Sequence, residues 1–492
     1  MKTISNKKSI IDDTEIIELR ILELLESDAR WWTTEEIASL LGLSKATIQK
    51  YLNNLKNRIA AFSNDEVNIE TSTSKGILFQ RQLSFNVHIL YTQILKELLI
   101  YSIFNSFLYD EHISIVKFST ENYVSLASVR RKYQTLNASF NGLDLSIKKD
   151  IFSGDEKQVR WFFSEFYWQI FKGTEWPFRL IPKEFMEDVF EKIQNFFQIE
   201  LIPEVKEEML YWITVNSLRH IKGYAVPEDP EIKKYVLNNP LFSPFIEVLK
   251  QIFPNEAKNN NPDGPGEMQY LFILLSALPA LEKNENYSHL IYEAHKKGQT
   301  IMYKMTQEWI HIYEKIFGPI ETEEEYYQIE NKLLRIHSFC YLYKMGDGIL
   351  SRENYVNEII KYHPKFFERI SQIYDNLSGK YTQIAENKIY IIENYILLAM
   401  EHSSISQFEK SVRLSLNLSK GVVYEAVVQD KLLSYFYGKY KLTFVKNTEL
   451  KDVLITDLPD MIENIDCTIV SAQLKLTARD FHNIEEAILG YI

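Results

Sequence analysis

The chain has 492 residues, 46% of them hydrophobic and 13% aromatic, with only 16 Gly and 14 Pro, and its formal net charge is −12. That length is too great for one hydrophobic core. The scarcity of breakers predicts long packed helices, and the acidic balance excludes a uniformly basic nucleic-acid coat. Two cysteines, Cys340 and Cys467, lie in apolar runs without ligand spacing, which excludes a disulfide framework and a zinc ribbon.

The charge is uneven. Residues 1–160 carry equal numbers of basic and acidic side chains, so the whole excess of negative charge falls on the remainder. Contact with a polyanion is therefore expected in the N-terminal third. The stretch Met1–Lys8 lacks the apolar core of a signal peptide. The longest apolar run, Tyr270–Leu281, is too short to span a bilayer and contains Pro279. A cytoplasmic protein without membrane contact is expected.

In chain order, Ile16, Leu19, Leu22 and Leu25 give residues 15–30 one apolar helical face. Thr33-Thr-Glu-Glu36 reads as a capping box opening a second helix, and Gly42 as the turn that ends it. Ser44 then caps a third helix, whose inward stripe is Ile48, Leu52, Leu55 and Ile59. Lys45, Thr47, Gln49, Lys50 and Asn53 are left on or near its outer side. Residues 67–80 alternate around Gly76 and predict a two-stranded wing. This is the pattern of a helix-turn-helix with its recognition helix at Ser44–Leu55.

The pattern recurs. Ser44-Lys-Ala-Thr-Ile-Gln-Lys-Tyr-Leu-Asn-Asn-Leu55 is matched by Ser125-Leu-Ala-Ser-Val-Arg-Arg-Lys-Tyr-Gln-Thr-Leu136. Residues 88–108 predict an apolar helix, and Ser119-Thr-Glu the start of another. In the next helix Val129, Tyr133 and Leu136 are read inward, with Arg130, Arg131, Lys132 and Gln134 mostly outward. Leu143–Ile147 and Lys148-Lys149 predict a second wing. Two such units predict a protein that grips double-stranded DNA at two places through Lys45, Thr47, Gln49, Lys50, Asn53, Arg130, Arg131 and Lys132.

From Gln158 to about Glu401 the pattern is almost continuous helix. Asn255–Gly266 is the clearest loop. Tyr270-Leu-Phe-Ile-Leu-Leu275 has an echo at Tyr395-Ile-Leu-Leu398, and Asn216–Gly223 a fainter one at Phe339–Gly346, as two tandem helical modules would give. His220, His337, His363 and His402 fall here, none with zinc spacing, and a lone histidine is more often structural than functional.

Beyond Ser411 the texture changes. Strands are predicted at Val412–Leu418, Lys441–Val445, Val453–Thr456 and Thr468–Ser471, with helices at Val422–Tyr437 and Ala478–Tyr491: a small α/β domain with a mostly parallel sheet. The turn Ser419-Lys-Gly421 lacks a phosphate-loop pattern and a Cys or His nucleophile, so no enzyme is expected, and Ser419 is read as a helix cap.

This order resembles the Mga/AtxA family of Gram-positive transcriptional regulators. The most specific carriers are Thr33–Leu55, Ser119–Leu136 and the aromatic segment Val159–Phe178. The resemblance implies a mainly α, multidomain chain: a first winged helix-turn-helix at 1–86, a second, Mga-type one at 87–157, two all-helical PTS-regulation domains (PRDs) at 158–281 and 282–404, and an enzyme-IIB-like α/β domain at 405–492. It further implies phosphorylation of PRD histidines by phosphotransferase components such as HPr. His220 resembles the first-PRD site, His402 the second, and His337 is held in reserve. Where an active enzyme IIB has a phospho-Cys or phospho-His, this chain has Ser419, which points to self-association rather than catalysis. The expected function is an activator of transcription, a homodimer or higher oligomer, needing no cofactor or metal. The rivals are an RNA-binding PRD antiterminator and a scaffold that does not bind DNA.

Overall fold

The computed structural model describes residues 10–11, 15–63, 65–109, 114–252, 264–278, 284–345, 355–403, 405–462 and 466–491. Contacts divide the chain into two compact units. The first is built on Ser5–Thr306 and Glu330–Arg352, the second on Gln307–Ile329 and Glu353–Ile492.

The first unit begins with α1 (Ile17–Ser27), α2 (Thr34–Leu41) and α3 (Lys45–Ile59), followed by the hairpin β1 (Val67–Ser72) and β2 (Gly76–Arg81). Ile21, Leu22, Ile37, Ile48, Leu52 and Leu55 bury the faces where the three helices meet. The capping box forms as expected: Thr33 N–H donates to Glu36 (3.1 Å), and Glu36 N–H donates back to the Thr33 hydroxyl (3.1 Å). Gly42 ends α2 at φ 67°, a left-handed cap that costs glycine little. The wing depends on Gly76. Trp32 bridges to Ile77, and a Cβ on residue 76 would stand 2.2 Å from the Trp32 carbonyl oxygen.

The second winged unit has α4 (His88–Lys96), α5 (Leu99–Tyr109), α6 (Ile115–Glu121), α7 (Leu126–Ser139), β3 (Leu145–Lys148) and β4 (Ile151–Gly154). Two expectations are corrected. The single apolar helix of 88–108 is broken at Glu97–Leu98, and Ser119-Thr-Glu ends a helix rather than starting one. The wing turns on Lys149 and Asp150, both left-handed (φ 50° and 60°), the geometry of a two-residue hairpin.

The helical bundle follows with α8 (Glu156–Phe171), α9 (Lys183–Phe197), α10 (Pro203–Ile221), α11 (Pro230–Leu237), α12 (Phe242–Ile252), α13 (Gly264–Ala277) and α14 (Glu285–Gly298). The expected loop at 255–266 lies outside the described residues as far as 263, and its last three residues belong to α13. The echo expected near Gly346 also ends outside them. α8 has two buried faces. Phe162 and Phe166 meet Phe104 of α5 tilted and edge-on (centroids 4.6 and 5.1 Å), while Trp161 stacks on Tyr343 (6.5 Å). α15 (Ile301–Phe317) and α16 (Glu323–Leu342) contribute residues to both units.

In the second unit α17 (Tyr355–Tyr362), α18 (Pro364–Ser378), α19 (Thr382–Glu386) and α20 (Lys388–His402) form a second helical group. Trp309 of α15 stacks on Tyr313 (4.8 Å) and meets Tyr395 of α20 edge-on (5.5 Å). The chain then enters β5 (Val412–Asn417), α21 (Val422–Tyr435), β6 (Leu442–Phe444), β7 (Val453–Thr456), β8 (Thr468–Ser471) and α22 (Ala478–Leu489). All strand pairs are parallel, in the order β6-β5-β7-β8. Val412, Leu414, Val453 and Ile455 of the sheet bury Val428 and Leu432 of α21 and Ile484 and Ile488 of α22. No helix among the described residues is long and apolar enough to cross a membrane.

Candidate nucleic-acid interface and regulatory histidines

The twelve-residue match corresponds to one local structure made twice. Ser44 and Ser125 are both N-caps with extended backbone (φ −75°, ψ 149° and φ −70°, ψ 145°). Their hydroxyls accept from the Thr47 and Ser128 amides at 3.1 and 3.0 Å. Each cap satisfies an amide that would otherwise be orphaned at the helix start. Ile48, Leu52 and Leu55 of α3, and Val129, Tyr133 and Leu136 of α7, turn inward.

On α3, Lys45, Gln49, Lys50 and Asn53 are exposed, and Thr47 is half-buried beside the cap. Lys45 is ion-paired with Glu35 of α2, which holds that carboxyl below its ordinary pKa. Its charge is therefore partly spent within the protein. Gln49 donates to Asn53 (3.3 Å), one turn along the same face. In the wing, Lys75 lies 5.5 Å from the centre of the Trp31 ring.

On α7, Arg130 and Arg131 are exposed and form no ion pair among the described residues. Lys148 and Lys149 are exposed on the adjoining hairpin. Lys132 is not on this face, and the outward reading is corrected. It is only 6% exposed, and its ammonium donates to Glu15 (2.6 Å) and the Ile10 carbonyl (3.2 Å). Spacing explains this. Residue 132 stands three after Val129 and four before Leu136, on the apolar stripe itself.

The histidines differ sharply. His220, near the end of α10, places Nδ1 3.7 Å from Glu267. Around Glu267 is a closed polar cluster that the residue pattern does not reveal. The fully buried Arg160 guanidinium donates to Glu267 (2.5 and 3.1 Å), Asn216 (3.1 Å), Glu156 (3.0 Å) and the Tyr224 carbonyl (2.7 Å). Arg219 donates twice to Glu156 (2.9 and 2.6 Å). Only the Glu156/Arg160 spacing of four is visible in the sequence, since the other partners are distant along the chain.

His402, at the end of α20, sets Nδ1 3.0 Å from Glu325 Oε1. Its Nε2 is buried and has no hydrogen-bond partner among the described residues. A carboxylate accepts from Nδ1–H, so this geometry favours the tautomer whose lone pair is on Nε2. His337 is fully buried against the Thr306 hydroxyl (2.8 Å), and burial pushes its pKa down to about 3. A neutral imidazole sealed in a core does not meet a protein phosphodonor, so His337 is set aside. His363 is also buried and its pKa is pushed down to about 4.

In the C-terminal domain Ser419 is not the helix cap expected of it. Gly421 holds that position, and Ser419 instead donates its amide (2.9 Å) and hydroxyl to Asp457. Glu425 in the first turn of α21 accepts from the Leu418 amide (3.0 Å). Cys340 is buried and Cys467 partly exposed, and neither forms a disulfide.

Comparison with known proteins places these elements. Residues 15–65 match the helix-turn-helix domain of the M protein trans-acting positive regulator (MGA), and residues 83–167 match the Mga helix-turn-helix domain. The chain is 22% identical over 303 residues to the capsule synthesis positive regulator AcpA of Bacillus anthracis, covering 61% of each. It is 22% identical over 498 positions to the anthrax toxin expression trans-acting positive regulator of Bacillus anthracis, covering 97% of this chain and 99% of the relative. The capsule synthesis positive regulator AcpB of Bacillus anthracis is 22% identical over 211 residues, 42% of this chain and 43% of its own. With paired capped recognition helices, two wings and both domain matches, the chain is similar, through its two helix-turn-helix domains, to Mga/AtxA-type transcriptional regulators.

Proposed function

We propose that this protein activates transcription by holding double-stranded DNA with α3 and α7, under control of phosphate on His220 and His402. The observation that carries the reading is the repeated cap-and-stripe geometry, which leaves Gln49, Lys50 and Asn53 on one helix and Arg130 and Arg131 on the other facing outward. A recognition helix needs that combination: apolar residues to seat it, and short polar and cationic ones for base edges and phosphates. Lys45 joins the set when it exchanges Glu35 for a phosphate, and Thr47 stands at the helix start, where amides favour anions. The relatives named as positive regulators of capsule and toxin expression support activation rather than repression. The helical N-terminal third does not fit the β-rich RNA-binding domain an antiterminator requires.

A phosphoryl group on either histidine adds negative charge beside a glutamate, Glu267 or Glu325. Repulsion would separate those partners and shift the helices that carry them. HPr or a similar phosphohistidine protein is the donor in this reading. Self-association uses the C-terminal domain, where Val422, Val423 and Val427 of α21 are 80%, 85% and 46% exposed. Fluorescence polarisation of a labelled promoter library with the full chain, across a salt series, tests the core claim. Salt-dependent binding is expected. Absence of binding to any duplex leaves the scaffold rival standing.

A further inference from the structure

The first helical bundle contains a cavity of about 180 Å³ between α9, α10, α12 and α13. Val189, Ile193, Ile213 and Leu249 line it and are each at least 95% buried, so most of its wall is bundle core. Phe185 and Ile221, 47% and 66% exposed, mark its mouth. Protein interiors hold few voids larger than a water molecule, and each one costs stability in proportion to its volume. Larger side chains at any of these four positions would close this one.

The polar end of the cavity is formed by Asn216, His220 and Glu267, with the uncharged Ser217 hydroxyl also in the lining. Its hydrogen-bonding capacity is largely spent. Asn216 accepts from Arg160 and donates to the Trp212 carbonyl (2.8 Å), and Glu267 accepts from Arg160 and from the Val226 amide (3.0 Å). The cluster as a whole balances two guanidiniums, Arg160 and Arg219, against two carboxylates, Glu156 and Glu267. An anionic ligand would be pressed against Glu267. A cationic one would draw Glu267 away from a guanidinium that has no access to water. An uncharged ligand incurs neither penalty.

We propose that this cavity is a binding site for a small uncharged molecule about the size of one substituted aromatic ring, with at most one neutral polar substituent. Size supports this: an apolar cavity of about 150 Å³ in another protein stays dry and takes up benzene. The inference does not rest on His220 being a phosphorylation site.

Met268 lines the cavity and supplies a reporter. The full, unphosphorylated chain is labelled with ¹³C-methyl methionine, and the Met268 resonance is identified by its loss in Met268→Leu. Benzene and phenol are titrated beside their charged counterparts benzoate and benzylammonium. The expected result is a saturable Met268 shift with the neutral probes, at least tenfold weaker with either charged one. Val189→Phe, which fills the cavity, is expected to abolish the shift while the other methionine signals stay in place. No saturable Met268 shift with the neutral probes, or equal affinity for neutral and charged ones, would overturn the proposal. The comparison of probes is made on the unmutated protein, so it stands even if the filled variant misfolds.

Discussion

His402 is held by Glu325: Nδ1 lies 3.0 Å from the carboxylate, while Nε2 faces inward with no hydrogen-bond partner among the described residues. The carboxylate thereby favours the tautomer that retains the lone pair on Nε2, and phosphate is expected at Nε2 once the end of α20 moves to admit a donor, since the atom is enclosed in this conformation. With enzyme I, HPr and phosphoenolpyruvate, Glu325→Ala is expected to slow labelling of His402 by about tenfold, the usual scale for loss of an orienting partner. Imidazole ¹⁵N shifts should show a mixed tautomer in the variant. Unchanged labelling with an unchanged tautomer would remove Glu325 from this role.

Arg130 and Arg131 are exposed, whereas Lys132 beside them is buried on Glu15. Replacing either arginine with Gln is expected to reduce the slope of log K against log salt by about one for each DNA phosphate that the variant no longer neutralises. Lys132→Met should leave that slope unchanged. It removes a buried ion pair instead, and the unfolding free energy is expected to fall by about 1–3 kcal/mol. Measuring binding and melting on the same three variants separates the two roles.

Gly76 combines φ 103° with a carbonyl oxygen 2.2 Å from where a Cβ would sit. Gly76→Ala is expected to destabilise the first winged domain by about 2 kcal/mol or more. Hydrogen exchange should rise in β1 and β2 first, since an added methyl would push apart the bridge from Trp32 to Ile77.

His295 is fully buried, stacks on Tyr235 at 4.3 Å and bonds to the Thr300 hydroxyl (2.9 Å). Burial pushes its pKa down to about 3, from an ordinary value of 6.5. Between those values the unfolded chain binds a proton that the folded chain excludes, so stability falls as pH drops below about 6.5. At pH 5 this amounts to about 2 kcal/mol for one such histidine. His295→Gln should flatten the decline of melting temperature from pH 7 to pH 5, while lowering its value at pH 7. A decline as steep as in the parent chain would place the acid sensitivity elsewhere.

The exposed valines of α21 bear on assembly. Val423→Glu is expected to shift sedimentation of the full chain towards monomer while the far-UV circular dichroism stays unchanged, because Val423 packs into no core of the monomer. An unchanged sedimentation profile would rule this face out as the dimer contact.

Much of this architecture is legible from residue pattern. β5 reads as an alternating strand, and β7 as a short apolar run because both of its faces are covered. The caps at Thr33, Ser44 and Ser125 follow from local hydrogen bonding, which sequence spacing records directly. The misreadings have a common cause. Charge alone puts Lys132 outside, although its spacing from Val129 and Leu136 puts it on the buried stripe. Residue type alone makes caps of Ser119 and Ser419, yet a serine inside a helix or bonded to a distant aspartate looks the same in sequence. The cluster around Arg160 draws on Asn216 and Glu267, 56 and 107 residues away, and no local pattern carries such a pairing.

One helix serves two masters. The phenylalanines of α8 fill the core of the second winged domain, and its Arg160 and Trp161 are locked into the bundle behind it. No glycine or proline interrupts it, so winged domain and bundle share a continuous axle with no slack between them. In the function proposed above, a phosphate that disturbs the bundle would reach the winged domain as rotation or tilt of that axle rather than as a slackened tether.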